Sequence, residues 1–323
     1  MTTRRQFLGS AAALLAGACA RAAAPAASAV AAAPVTPGRL PIAFSTLGCP
    51  GWSWDRVLAV AAENGYSAIE LRGVGGEMDL AKVPEFSAAR IADTRRRLAD
   101  RGLHVAGLGA STNMHETDAA KRAAGLAEAR RFIDLAPSLG APYVRVFGNT
   151  WVKGETHEAT LARVAAGLRE LGTYAREHGV TVLLETHGDF TQSPTLVSIM
   201  RQADSPGVAL LWDMHHTFAF GHEDPEETAR QIMPWVRHTH LKDSLPPTAP
   251  NAGAQDRRYV LTGTGEVPVR RQFETLARHG YKGYYSFEWE KKWHPEIDEP
   301  EVAFPHFARV AREYLRGAGV VAG

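Results

Sequence analysis

Eight short runs of β-branched and aromatic residues, each followed by a longer amphipathic stretch, constrain this chain more than any other feature. The runs fall at 42–46, 68–72, 104–108, 143–147, 181–185, 209–213, 238–242 and 284–289. After them, residues 57–64, 88–101, 119–139, 158–178, 193–202, 225–233, 271–279 and 301–315 carry apolar side chains at three- and four-residue spacing, which predicts helices. Such alternation belongs to a parallel sheet wrapped by helices. Gly65, Gly102, Gly179 and Gly280 stand just past expected helix ends, where a left-handed cap is least costly without a Cβ. No glycine-rich nucleotide loop follows the first run. A closed (β/α)8 TIM barrel is therefore expected, not an open doubly wound sheet. Residues 38–318 are read as this single domain, close to the ~250 residues typical of such a barrel.

Residues 1–35 are set apart by composition and read as an export leader. Thr3-Arg4-Arg5-Gln6-Phe7-Leu8 precedes an apolar run from Ala11 to Ala16 and small residues up to Val35, the order of a signal peptide. The paired arginine resembles a twin-arginine (Tat) signal, so a periplasmic location is expected. The apolar run falls far short of the ~20 residues that span a bilayer, so no transmembrane segment is expected in the mature protein. Ala16-Gly17-Ala18-Cys19 resembles a degenerate lipobox, which leaves a lipoprotein through Cys19 as the alternative. Cys19 and Cys49 are the only cysteines, so cleavage beyond Cys19 leaves no intramolecular disulfide. The formal charge of +1 includes three leader arginines and no leader acid, which puts the remainder near −2. Near-neutrality gives no electrostatic reason for a nucleic-acid partner.

In this barrel type, function sits at the C-terminal ends of the strands. The fifth run ends in Glu185 and the sixth in Asp213; the seventh carries His238 and His240, and the eighth carries Glu288. An inward carboxylate after an apolar run is expensive unless a cation accompanies it. Metal-competent residues at equivalent heights on four consecutive strands point to one shared metal ion.

These residues lie in Leu184-Glu185-Thr186-His187, Asp213-Met214-His215-His216, His238-Thr239-His240-Leu241-Lys242-Asp243 and Ser286-Phe287-Glu288. Over residues 41–315 the chain resembles the xylose isomerase-like TIM barrels, which include ketose 3-epimerases, hydroxypyruvate isomerase, inosose dehydratase and endonuclease IV. The resemblance implies that His240, not His238, joins Glu185, Asp213 and Glu288 as a ligand. It also implies that His216 meets substrate. Three carboxylates and one imidazole suit one divalent ion, with Mn²⁺, Mg²⁺ or Co²⁺ favoured and Zn²⁺ compatible. Such an ion grips neighbouring carbonyl and hydroxyl oxygens and stabilises an enediolate. As the resemblance implies, Glu185 and Glu288 are then the acid and base that exchange the proton.

Lys242 is read as a donor to substrate or as a partner of a ligand. His187, Glu70, Arg145 and Asn149 fall at or just after strand ends and are read as substrate-binding, with a Glu70–Arg145 ion pair as the alternative. Trp151, Trp289 and Trp293 stand in mouth loops where an indole stacks on a sugar. Residues 246–258 and the stretch after Glu288 read as inserted loops that form walls or lids. Glu266 beside Gly263-Thr264-Gly265 disfavours a phosphate cradle, so a neutral sugar or keto-sugar is the expected partner. The leading expectation is a metal-dependent sugar isomerase or epimerase. A lyase that eliminates water or a glycosidic leaving group uses the same residues, a non-catalytic carbohydrate-binding protein is disfavoured by the intact glutamates, and a homo-oligomer is allowed.

Overall fold

The computed structural model describes residues 32–248 and 256–322. Nearly all of the expected leader, including Arg4, Arg5 and Cys19, lies outside the described residues, as does the centre of the loop after the seventh strand. Ala33 and Pro34 are described. The Ala33 amide donates to Lys282 O at 2.7 Å and Pro34 O accepts from the Tyr284 hydroxyl at 2.5 Å, so both belong to the barrel floor.

The eight expected strands form β1 (Ile42–Ser45), β2 (Ala68–Leu71), β3 (His104–Asn113), β4 (Tyr143–Phe147), β5 (Thr181–Glu185), β6 (Val208–Asp213), β7 (Val236–Leu241) and β10 (Tyr285–Phe287). They close in the order β1-β10-β7-β6-β5-β4-β3-β2, all parallel. Helices α1 (Trp54–Glu63), α2 (Ile91–Ala99), α3 (Ala119–Leu139), α4 (His157–Glu177), α5 (Ser193–Ala203), α7 (Pro225–Ile232), α8 (Val269–Arg278) and α9 (Pro300–Gly317) follow them in turn. The four marked glycines all have positive φ, between 58° and 69°, as a left-handed cap requires.

Three elements were not legible in the periodicity. A short helix, α6 (Met214–Ala219), continues directly from β6, with Asp213 as its N-cap. A hairpin of β8 (Asp243–Leu245) and β9 (Arg258–Val260) rises from β7. The Asp243 carboxylate holds its base by accepting from the backbone amides of Ser244, Gly263, Gly265 and Val267 at 2.8–3.2 Å.

Packing grades along the barrel axis. Ala43, Ala68, Ala106 and Tyr284 make an apolar floor, and Leu183, Ala209 and Leu211 a second small cluster. Outside the sheet, Phe44 and Phe287 stack on Phe304 and Phe307 of α9, with centroids 4.3 and 4.5 Å apart. Towards the C-terminal mouth the interior changes to buried charge, with Glu70, Arg145, Glu185, Asp213, Lys242 and Glu288 all at most 3% exposed. Among the described residues no helix is long and apolar enough to cross a membrane.

Candidate metal centre

Register brings the candidate ligands to one height. Asp213 lies opposite His240 across β6 and β7, and Glu185 ends β5 one strand further round. Glu288 follows β10 on the other flank of β7. One ligand atom from each of Glu185, Asp213, His240 and Glu288 lies within 4.8 Å of the others. From His240 Nδ1, the nearest oxygens of Glu288, Asp213 and Glu185 are at 3.2, 3.8 and 3.9 Å.

The other side of the imidazole is fixed. His240 Nε2 donates to Glu70 Oε2 at 2.7 Å, and His238 Nε2 donates to the same oxygen at 2.8 Å. With its proton on Nε2, His240 presents a lone pair on Nδ1, and this buried nitrogen has no hydrogen-bond partner. A lone pair facing three carboxylates is repulsive unless a proton or a cation lies between them. Charge count agrees. Among the described residues, the buried carboxylates of Glu70, Glu185, Asp213, Glu288 and Glu290 face three permanent cations, Arg72, Arg145 and Lys242. The remaining two negative charges match one divalent ion, and the donor set is hard and oxygen-rich. These residues fit a divalent metal.

Asp213 divides its oxygens between two tasks. Oδ1 accepts from the backbone amides of His215 and His216, both at 3.0 Å, while Oδ2 turns to the cluster. Lys242, which falls in the break between β7 and β8, sits behind the ligands and is fully buried. Its ammonium contacts Asp213 Oδ2 at 2.6 Å, Glu290 Oε1 at 2.8 Å and Glu288 Oε2. Three carboxylate partners use its three donors, the arrangement expected of the second of the two readings given to Lys242, a partner of the ligands.

Burial pushes the Glu185 carboxyl up to about 7; Arg145, with Nε 2.9 Å from Oε2, opposes the rise while Glu288 and Asp213 add to it. Burial acts on Glu288 too, but His240 and Lys242 outweigh it and hold that carboxyl well below its usual range. Burial likewise opposes charge on His240, yet Glu288 and Glu70 raise its pKa well above that of a free imidazole. Two carboxyls on one centre thus have opposed proton affinities.

The remaining expected residues divide. Glu70 pairs with His238 and His240, not with Arg145, a contact of the kind that orients a metal-ligating imidazole. Arg145 pairs with Glu185 and donates from Nη1 to Ala110 O at 2.8 Å, with its guanidinium over the Phe147 ring. It also lines a cavity of about 230 Å³ with Arg72, Glu185, His187, Glu288 and Glu290. Asn149 acts through His187: its Oδ1 accepts from His187 Nδ1 at 2.7 Å and its Nδ2 donates to Asn113 Oδ1 at 2.7 Å. The neighbouring Gly188 has φ +61°, and a Cβ there would stand 2.1 Å from Asn149 O. His216 donates from Nδ1 to Thr186 O at 3.1 Å and lines a larger outer cavity of about 610 Å³.

Trp289 is corrected from a mouth residue to core: it is fully buried, stacks on Phe287, and donates from its indole nitrogen to Asp298 O at 2.9 Å. Trp151 and Trp293 do line the outer cavity. Glu290 was missed. It lies on both cavities and holds Lys242, and its spacing of two from Glu288 was the available signal.

A sequence model of the family described as xylose isomerase-like TIM barrel matches residues 58–313. Inosose dehydratase of Klebsiella pneumoniae subsp. pneumoniae is 30% identical over 167 residues, which cover 48% of this chain and 54% of that protein. The match thus spans about half the length of that curated relative. Among solved structures, an L-ribulose 3-epimerase superposes with a TM-score of 0.69 at 21% identity, covering 86% of this chain and 95% of that one. A xylose isomerase-like TIM barrel protein from Mycobacterium smegmatis in complex with magnesium gives 0.62 at 22% identity, covering 86% and 96%. At these identities the superpositions speak to fold.

Proposed function

Because the chain belongs to the xylose isomerase-like TIM barrel family, we propose that it is a divalent-metal-dependent isomerase or epimerase that moves a proton beside the carbonyl of a sugar or keto-sugar. One observation carries this reading: Glu185 and Glu288 approach the same His240 nitrogen from opposite flanks of β7, and both line the inner cavity. Glu185, Asp213, His240 and Glu288 would hold the ion. When bound, it supplies Lewis acidity to adjacent carbonyl and hydroxyl oxygens.

The chain's own groups supply the proton steps. Glu288, kept ionised by His240 and Lys242, takes the proton from the carbon next to the carbonyl. Glu185, an ionised ligand on the opposite flank of β7, passes a proton drawn from water to the other face. Burial, then Lys242 and Arg145, lowers His187 to about 4, so it meets substrate as a neutral imidazole locked by Asn149. Arg145 keeps Glu185 oriented while it changes charge.

The second reading is a lyase, and the half-length similarity to an inosose dehydratase supports it. Proton removal by Glu288 is then followed by departure of a hydroxyl or glycosidic oxygen that takes the Glu185 proton. The two separate in one experiment. Metal-loaded protein is incubated in deuterated water with ketohexoses, inososes and keto-glycosides, and the products are read by NMR. Deuterium beside the carbonyl together with an isomeric sugar is the expected result. An unsaturated or dehydrated product establishes the lyase. Absence of exchange from every compound overturns both readings.

A further inference from the structure

The barrel mouth holds two chambers, and proton transfer needs only the inner one. The inner chamber, about 230 Å³, has room for roughly eight waters, about the bulk of one monosaccharide. The outer chamber, about 610 Å³, is more than twice as large. His187, Glu290 and Trp293 line both and form their common wall.

We propose that the substrate is a two-ring sugar, with the reacting unit in the inner chamber and a glycosidically attached second ring in the outer one. The proposal rests on the proton-transfer reading of Glu185 and Glu288 and adds the class of substrate. Aromatic planes flank the outer chamber. Trp151 is held by stacking on His157 at 4.0 Å and by Phe190 at 4.7 Å. Tyr259 is braced between His215 and His294 at 5.4 and 4.9 Å. Trp293 stands at the rim with 58% of its surface exposed, and the Lys292 ammonium lies over its ring at 5.9 Å from the centroid. Polar groups line the same chamber as a sugar ring needs them, with His187 and His216 beside Gln192.

Charge excludes the usual alternative extension. Among the described residues, those that line the outer chamber include Asp189 and Glu290 but no lysine or arginine. A phosphate placed there would meet like charge without a counter-ion, whereas a neutral ring meets hydroxyl partners and stacking faces.

Three ketoses extended differently at one carbon test this: D-fructose, isomaltulose (the same ketose bearing a glucosyl ring) and D-fructose 6-phosphate. Their affinities for the metal-loaded full chain are measured by tryptophan fluorescence and calorimetry. Isomaltulose is expected to bind about tenfold more tightly than fructose, the phosphate no more tightly than fructose. Trp151→Ala is expected to bring the isomaltulose-to-fructose ratio close to one. Equal affinities, tightest binding of the phosphate, or no binding of any of the three overturns the proposal. Failure of the underlying reading looks different: isomaltulose is preferred, but Glu288→Gln leaves substrate-proton exchange intact.

Discussion

Glu288→Gln is expected to abolish exchange of the substrate proton with deuterated water, while Glu185→Gln retains exchange and loses the isomerised product. The asymmetry follows from the two environments. Lys242 and His240 keep Glu288 charged and able to accept a proton, whereas Glu185, paired with Arg145 on the opposite flank of β7, serves the face to which a proton is delivered. With Glu185 replaced, Glu288 still removes the proton and returns it, or a deuteron, to the face it came from. With Glu288 replaced, nothing on the chain begins the reaction. A positioned acid or base contributes about 10²–10⁴ in rate, so each loss of product formation should fall in that range. The check is ¹H NMR of the reisolated substrate and the product under single-turnover and steady-state conditions. Equal exchange in both variants would show that the two carboxylates are not divided in this way.

Lys242→Met is expected to destabilise the fold by about 3–5 kcal/mol, the cost of breaking a buried ion network by deleting one partner. The ammonium is fully buried and contacts Asp213, Glu288 and Glu290, so its removal leaves three carboxylates close together with no cation behind them. In a barrel of this size that corresponds to a midpoint lowered by roughly 5–9 °C. Burial opposes the charge on Lys242, yet the carboxylates raise its pKa well above the ordinary 10.5. A cation with a raised folded-state pKa contributes stability fully below its unfolded value, so the loss should be undiminished across the neutral range. Added divalent ion is expected to restore part of the midpoint. Thermal denaturation followed by circular dichroism measures both. A variant as stable as wild type would remove Lys242 from the architecture of the site.

Much of this was legible in the chain itself. Apolar runs that end in Glu185, Asp213 and Glu288 identify strand ends, and parallel register then places those ends at one height. What was not legible depends on contacts across the barrel lumen. Glu70 lies 170 positions from His240 on a strand that does not neighbour β7, and no local pattern reports that their side chains meet. Lys242 looked available because the strand was expected to continue through it. The chain instead breaks there, and the side chain ends under three carboxylates. Trp289 carried a signal that was missed: it adjoins inward-facing Glu288, so alternation sends it outward to Phe287 and the helical shell. Glu290, two positions beyond Glu288, follows the same alternation inward. The helix that begins after Asp213 was hidden because its six residues are too short for periodicity to register.

Glu185, Asp213, His240 and Glu288 are proposed to hold one divalent ion. Calorimetric titration of chelator-treated protein with Mn²⁺ in buffers of different ionisation enthalpy tests it most directly. Ligation requires Glu185 to lose the proton it holds up to about 7 and His240 to lose one held still more tightly than a free imidazole holds it. The predicted result is one ion per chain, release of protons on binding, and an affinity that strengthens as pH rises through 7. Binding that is absent, or that is unchanged in His240→Ala, would contradict the account.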